Sequence, residues 1–212
     1  FIVNLSSENN NHHRTYNNIK DIIAKSSLSI TTKEISLSLF QKLALAEAEV
    51  HGIELNEVSF HELGAWDSII DNVIAAFIIN KYEKKYNVSW SCSPVPIGKG
   101  IVHTAHGNLS IPAPATSLLL NGIAIIDDGI EGERTTPTGA AIISHINPYP
   151  NISSAETGNL NIYKQGIGIG TKKFKTIPNI LRILIFKEAK KLIKNSKNEV
   201  ISQINFDIDD QS

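Results

Sequence analysis

Four side chains that could bind a metal ion or transfer protons lie close together in the segment 60–71: His61, Glu62, Asp67 and Asp71. Imidazole and carboxylate groups bind divalent metal ions and are also common general acids and bases. One hypothesis is therefore a metal or acid–base site. The alternative, which spacing alone favours, is that Asp67 caps a helix and Asp71 belongs to a solvated helix face.

The elements around these residues predict how they are positioned. Alternation of apolar and polar residues predicts a short strand near 57–61, and Gly64 then interrupts it. Apolar residues recur at helical spacing from Trp66 to about residue 84, so Asp67 and Asp71 share one face in the first turns of a helix. The sequence thus predicts one cavity, at a strand–turn–helix junction, lined by all four side chains.

Two other segments place Pro where a helix begins, at 112–122 and 135–146. The unpaired backbone N–H groups of a helix start can receive a phosphate, which makes Thr116, Thr136, Thr138 and Gly139 candidates for anion binding. Taken singly, each segment is more simply interpreted as a capped helix. We expect at least one of these helix starts to face the cavity with His61 and Asp67.

The remaining pattern predicts alternating helices and strands, and so an α/β fold, with mixed α+β as an alternative, in one main domain. Further helices are predicted at 16–25 and 32–51, the latter with Thr31 or Thr32 and Glu34 as capping signals near its start and Gly52 just past its end. Further strands are predicted at 90–96, 101–104, 109–111, 123–126, 163–170, 179–186 and 200–208. Gly166, Gly168 and Gly170 are interpreted as a tight connection between two strands.

The predicted organisation has four parts. Residues 1–14 form a polar, disordered tail or loop, and residues 15–186 form the main domain. Residues 187–199 are a basic linker, and residues 200–212 begin a truncated C-terminal domain.

Several single residues have weaker signals. His103 and His106 have a spacing compatible with two imidazole ligands, although isolated histidines are more often structural. The pair His12-His13 could bind a transition metal weakly but is more simply part of a polar tail. His51 ends a helix, where an imidazolium favours the dipole, so it is predicted to be structural. Cys92 is predicted to be a buried, inert thiol.

The composition is that of an ordinary globular protein, with 212 residues, 42% hydrophobic and 19% charged. A net charge of −1 gives no general attraction to nucleic acid or to an anionic membrane. No apolar run is long enough for a membrane span and no leader is visible, which predicts a cytoplasmic protein. One Cys excludes a disulfide framework, and the absence of Met with a start at Phe1 predicts a fragment or processed piece.

A series of short blocks occurs in the order typical of one family. The blocks are HHRTY at 12–16 with Ile19, AEAEVHG at 46–52, FHELGA at 60–65 with Asp67, Ser68, Ile69 and Asp71, then Pro94, Pro96, Gly98 and Gly100, AHG at 105–107, PAPAT at 112–116, Glu133 with TPTGAA at 136–141, and PNILR at 178–182. From His12 to Asp210 the chain resembles the LarC family of nickel insertion proteins.

The resemblance implies a cytoplasmic enzyme that inserts nickel into pyridinium bisthiocarboxylic acid mononucleotide, forming nickel–sulfur and nickel–carbon bonds. The product is the nickel-pincer nucleotide cofactor of lactate racemase, CTP is consumed, and manganese or magnesium accompanies it. Such an enzyme is a lyase-type nickel chelatase, a cyclometallase. In this interpretation His61, Glu62, Asp67, Asp71 and His106 bind the metal, Asp67, Asp71 and His106 are catalytic, and Thr116, Thr136, Thr138 and Gly139 hold the nucleotide phosphate.

Departures from the family pattern add further expectations. An N-terminal Gly-Asp-Met segment is missing, the family's His-rich stretch is reduced to His12-His13, and the chain stops at Asp207-Ile208-Asp209-Asp210, which resembles the opening of the family's CTP-binding C-terminal domain. Full activity is then expected to need that domain, from the same or a separate polypeptide, in a protein that could be a homo-oligomer. Alternatives are a nickel-storage module, an unrelated metal-dependent phosphohydrolase built on Asp67 and Asp71, and a structural domain for assembly.

Overall fold

The computed structural model describes residues 13–61, 63–104, 107–150, 160–188 and 200–205. The helices of this part of the chain are α1 (Tyr16–Lys25), α2 (Ile30–His51), α3 (Trp66–Lys85), α4 (Pro114–Leu119) and α5 (Pro137–Ile146), with a 3-10 turn at Leu55–Glu57. None of these described helices has the length and apolar character needed to cross a membrane.

The strands of the described residues are mostly short. They are β1 (Arg14–Thr15), β2 (Ser59–Phe60), β3 (Val88–Cys92), β4 (Val95–Pro96), β5 (Gly98–Lys99), β6 (Ile101–Thr104), β7 (Gly107–Ser110), β8 (Ile125–Ile126), β9 (Gly132–Glu133), β10 (Tyr149–Pro150), β11 (Leu160–Ile169), β12 (Ile180–Glu188) and β13 (Val200–Asn205). Helices and strands alternate along the chain, which confirms the predicted α/β class.

Helix α2 is the centre of the helical layer. Its side chains Leu39, Phe40 and Leu43 are completely or almost completely buried, and α1, α3, α4 and α5 all pack against it. Removing this apolar surface from water supplies the main driving force for the layer. The Phe40 ring also lies 6.2 Å from the ring of Phe60, so the short strand β2 is anchored to the same core.

The largest sheet has five strands in the order β10-β3-β13-β12-β11. Strand β13 pairs parallel to β3 and antiparallel to β12. Trp90 and Cys92, which alternate along β3, belong to the buried core shared with the helices. The segment predicted to begin a second domain therefore contributes a strand to this sheet, and the domain boundary at 187–199 stays a prediction.

Several boundaries follow directly from local signals. Helix α1 begins and ends where its periodicity predicts, and its cap Thr15 accepts a hydrogen bond from the Asn18 N–H. Helix α5 starts at Pro137, with Thr136 as its cap, as predicted. Helix α2 ends at Gly52, whose φ of 63° lies in the left-handed region that glycine adopts without strain.

Two local predictions are wrong. The cap of α2 is Ser29 and not Thr31 or Thr32: the Ser29 hydroxyl accepts from the Thr32 N–H, which starts the helix earlier. Gly166 and Gly168 lie inside β11 and not between strands, and the connection to β12 begins at Gly170. Backbone pairing with β12 over most of its length holds β11 extended despite these glycines, which have no side chains to contribute.

Candidate functional site

A cavity of about 710 Å³ lies where α2 ends, α3 begins and the first turns of α4 and α5 meet. Its apolar lining comes from Val50, Phe60, Leu63, Ile74, Ala75, Ile78, Leu109, Ala113, Pro114, Ala115, Pro137 and Ile142. The polar lining comes from Glu47, His51, Ser59, His61, Ser68, Asp71, Thr104, Glu133, Thr136, Thr138 and the Gly139 backbone. A concave site with an apolar wall and a few convergent polar groups is typical of small-molecule binding.

The ladder of β1 and β2 places His61 at the cavity. Arg14 pairs with Phe60 and Thr15 with Ser59 in antiparallel register, and the Tyr16 N–H donates to the Val58 carbonyl over 3.0 Å. Phe60 is 2% exposed, so the strand is fixed in the core. The next residue, His61, emerges from the end of this ladder into the cavity wall.

One step beyond the last ladder pair, His61 contacts His13. The two Nδ1 atoms are 2.8 Å apart, and the ring centroids are 4.8 Å apart with an interplanar angle of 83°. Continuing the register by one residue puts His13 directly opposite His61, where side chains of an antiparallel pair lie side by side. The sequence alone did not indicate this contact, because it joins segments 48 residues apart.

The turn between β2 and α3 is held from β1. The Arg14 guanidinium donates to the Gly64 carbonyl, and its Cζ lies 4.6 Å from the centroid of the Trp66 ring. A charged hydrogen bond and a cation–π contact together fix the direction in which α3 starts. This fixed start determines where the two aspartates of α3 lie.

The two aspartates differ in environment. Both side chains are exposed, but Asp71 lines the cavity and Asp67 does not. Asp67 lies in the first turn of α3, and its Oδ1 accepts from the Ser68 N–H over 2.9 Å. Of the predicted group, the structure therefore brings His61 and Asp71 to one cavity and leaves Asp67 at its outside. Glu62 and His106 lie outside the described residues.

Electrostatics distinguish Asp71 further. Burial, followed by the negative charge of Asp67, raises the pKa of Asp71 above its ordinary value. A carboxylate with a raised pKa accepts a proton more readily near neutral pH, which is the property that a general base requires. The same partly buried carboxylate would also gain from binding a cation.

Helix α2 contributes two titratable side chains that sequence reasoning did not assign to the site. The His51 Nε2 lies 3.4 Å from the Glu47 Oε2, one helical turn away, and both residues line the cavity. His51 was predicted to be structural, but it lies in the cavity wall. The spacing of Glu47, Val50 and His51 on one helix face is the signal that could have indicated it.

The start of α5 lines the cavity with Thr136, Thr138 and Gly139. The Thr136 hydroxyl accepts from the Gly139 N–H over 3.4 Å, and Pro137 has no N–H, so Thr138 is the first residue of the helix that can offer one. The start of α4 also lines the cavity, through Ala113, Pro114 and Ala115. Thr116 itself is 0% exposed and is not part of the lining.

Other candidate residues lie elsewhere. His103 is exposed on the β6–β7 ladder, where its Nδ1 contacts the Oδ1 of its partner Asn108 over 2.5 Å. Burial raises the pKa of Cys92 to about 12, as expected for an inert thiol. In the described part of the chain, no group of three or more His, Cys, Asp or Glu side chains is close enough to hold one metal ion.

Comparison with known proteins identifies what the chain is similar to. A family model described as nickel insertion protein matches residues 2–212. A Geobacillus kaustophilus protein named pyridinium-3,5-bisthiocarboxylic acid mononucleotide nickel insertion protein is 36% identical over 204 residues, which cover 93% of this chain and 48% of that protein.

Two further relatives carry the provisional name nickel insertion protein. The one from Geotalea uraniireducens is 40% identical over 189 residues, or 89% of this chain and 47% of the relative. The one from Dictyoglomus thermophilum is 37% identical over 205 residues, or 97% of this chain and 50% of the relative. The chain spans about half the length of the curated relatives it matches. No solved structure matches it.

Proposed function

The chain belongs to the nickel insertion protein family, and from this we propose that the protein inserts nickel into pyridinium-3,5-bisthiocarboxylic acid mononucleotide to make a nickel-pincer nucleotide. The observation that carries the proposal is the cavity of about 710 Å³, which combines His and Asp side chains, of types that can bind a metal ion, with a helix start. That volume suits a small molecule of mononucleotide size. Nickel and the nucleotide are both substrates in this reaction.

The nickel ion would be held on the side of the cavity formed by β2 and α3. His61 and Asp71 supply nitrogen and oxygen ligands there, and we include Glu62 and His106 as further ligands. Asp67 would act through its charge on Asp71. Nitrogen and oxygen donors hold nickel less firmly than thiolate-type sulfur does, so the two sulfurs of the substrate can take the ion over.

Formation of the nickel–carbon bond requires a base. The ring carbon between the two thiocarboxylates loses its hydrogen as a proton, and the electron pair of the broken carbon–hydrogen bond forms the bond to nickel. We assign the proton to the Asp71 carboxylate, whose pKa is raised by burial and by Asp67. We propose His106 as a second residue that accepts this proton.

The phosphate of the nucleotide would lie against the start of α5. Thr136 and Thr138 present hydroxyl groups there, and Thr138 can add its backbone N–H. Gly139 keeps the wall open because it has no side chain. Thr116 is buried, so its contribution would be to hold the α4 start in place and not to contact the ligand.

CTP with manganese or magnesium is part of the family expectation, but the cavity does not fit a triphosphate. Among its described lining residues the titratable groups are the carboxylates Glu47, Asp71 and Glu133 with the imidazoles His51 and His61, and none is Lys or Arg. A triphosphate carries more negative charge than the single phosphate placed at the start of α5, and this lining offers it no Lys or Arg side chain. We therefore derive no step through CTP at these residues.

We extend the proposal to the enzyme class, the location and the partners of the protein. The protein would be a lyase-type cyclometallase of the cytoplasm, with the nucleotide as its small-molecule partner. It would work with a C-terminal domain, from its own or a separate polypeptide, and as a homo-oligomer. It would bind neither nucleic acid nor membrane, in line with its net charge of −1.

The test is nickel transfer to the dithio nucleotide by the full-length protein with CTP and Mn²⁺, measured by mass spectrometry of the nucleotide. Asp71→Asn is expected to lower the transfer rate at least tenfold, because base and ligand are lost together. Gly139→Val is expected to weaken nucleotide binding while nickel binding stays near normal. Asp21→Asn, on the exposed face of α1, is the control. Unchanged transfer in both cavity variants would rule this cavity out.

A second candidate function is a nickel-binding module without catalysis, which the contact between His13 and His61 favours because it needs no nucleotide. In the same assay such a module binds nickel but transfers none. A phosphohydrolase built on Asp67 and Asp71 is not favoured, since only Asp71 lines the cavity.

A further inference from the structure

We propose that His13 and His61 together form a two-nitrogen binding site for a divalent transition metal ion at the edge of the cavity. The two residues lie one step beyond the last pair of the β1–β2 ladder, and their Nδ1 atoms are 2.8 Å apart. His61 also lines the cavity. The site therefore borders on the cavity through one of its own ligands.

The distance between the two nitrogens suits a shared metal ion. Imidazole nitrogen binds such ions at about 2.0–2.1 Å, so two nitrogens 2.8 Å apart would subtend an angle of about 90° at the metal. That is the angle between neighbouring ligands in square-planar and octahedral geometry, which Ni²⁺ and Cu²⁺ adopt. Without a metal, one Nδ1 carries the proton that the other accepts, and binding the ion releases that proton.

The backbone holds both ligands in place before any ion arrives. His61 follows the buried Phe60, and His13 precedes Arg14, which pairs with Phe60 in the ladder. Arg14 is itself fixed by the Gly64 carbonyl and the Trp66 ring. Ligands that are already oriented lose little conformational entropy on binding, so a site with only two protein ligands can still be selective.

Two protein ligands leave the other coordination positions to water or to an incoming ligand. In the described part of the chain no third His, Cys, Asp or Glu completes a metal cluster here. Such a site exchanges its ion readily, as a donor site must. That the ion passes from here into the cavity rests on the proposed function, whereas metal binding at the pair does not.

The test uses Ni²⁺ titration calorimetry and Cu²⁺ electron paramagnetic resonance on the whole chain. His13→Ala and His61→Ala are each expected to weaken Ni²⁺ binding at least tenfold and to reduce the Cu²⁺ signal from two nitrogens to one. The double variant should lose little more than either single one, because the two ligands act as a unit. His103→Ala is the matched control, since His103 occupies a similar ladder but faces Asn108.

Unchanged Ni²⁺ affinity in His13→Ala would overturn the proposal, and so would a two-nitrogen Cu²⁺ signal that persists in both single variants. Loss of binding in His12→Ala with none in His13→Ala would overturn it as well. Nickel transfer to the dithio nucleotide is measured separately in His13→Ala. Normal transfer together with the lost two-nitrogen signal supports the metal site and removes only its role as donor.

Discussion

At the scale of single residues, the environment of Asp71 lowers the stability of the folded protein but suits a site that binds a proton or a cation. Burial and the charge of Asp67 raise its pKa, which means that the charged carboxylate is less stable in the folded protein than in the unfolded chain. Such a loss of stability is expected at a site that binds a cation or takes up a proton. Shifted pKa values of this kind are concentrated at functional sites.

Asp71→Asn should therefore stabilise the protein near neutral pH. The unfolded chain loses the Asp71 proton first as pH rises past the ordinary value of 3.8, so the native protein loses stability until the raised pKa is passed. The Asn variant does not titrate and avoids this loss. We expect a higher Tm than wild type near pH 7 and nearly equal Tm values near pH 3.

Thermal unfolding at both pH values checks this, with Asp67→Asn as the comparison. Asp67 lies in the first turn of α3, where its charge favours the helix dipole but also repels Asp71, so Asp67→Asn should raise Tm near pH 7 less than Asp71→Asn does. A lower Tm for Asp71→Asn at neutral pH would show that the carboxylate is stabilised and not strained.

At the scale of elements, one glycine follows the last turn of α2 and another lies in the first turn of α5, and the two have different structural roles. Gly52 closes α2 with a φ of 63°, and nothing lies within 4 Å of where a Cβ would be placed. Gly139 lies in the first turn of α5 at an ordinary helical φ, where a Cβ would meet only the Thr136 hydroxyl at 3.7 Å and the Thr135 methyl at 3.8 Å. Backbone conformation is therefore the difference between the two sites.

Replacing each glycine by Ala should change stability in opposite directions. Gly52→Ala is expected to lower the free energy of unfolding by about 1 kcal/mol, because an L-residue is strained in the left-handed region. Gly139→Ala is expected to raise it by roughly 0.5–1 kcal/mol, because Ala loses less backbone entropy in a helix. Urea denaturation measures both, and equal signs would contradict the assignment.

How far the sequence predicts these elements depends on how local their signals are. The bounds of α1 and α5 follow from caps and periodicity within a few residues. The extended conformation of the β11 glycines does not follow from local sequence, because it is held by backbone pairing with β12. In the candidate site, His61 and Asp71 come from one strand–turn–helix segment and were predictable together. The approach of His13 to His61 depends on pairing between segments 48 residues apart, which the spacing within one segment does not encode.

At the scale of the whole molecule, Arg134 forms a buried ion pair next to the cavity wall and also contacts the hairpin of β11 and β12. The Arg134 Nε donates to the Asp128 Oδ2 over 2.8 Å, and the two side chains are 8% and 0% exposed. The Arg134 guanidinium also lies 4.6 Å from the centroid of the Phe174 ring, in the loop of that hairpin. Glu133, next in sequence to Arg134, lines the cavity.

Asp128→Ala should destabilise the protein by about 3–5 kcal/mol, because it leaves the buried Arg134 charge without its partner. Asp127→Ala removes an adjacent exposed carboxylate, which accepts from the Gly129 N–H, and should cost about 1 kcal/mol or less. Urea denaturation compares the two variants. Equal small losses would mean that Arg134 finds another partner or reaches water.

The position of β13 has a consequence for how the chain is made. Residues 93–199 separate β3 from β13, yet β13 lies between β3 and β12 in the finished sheet. On the ribosome, β3 and β12 therefore emerge with facing edges that stay unpaired until residues 200–205 follow. A nascent chain at this stage displays open strand edges, a natural substrate for chaperones. Translation that stops before Val200 would release a polypeptide prone to aggregate.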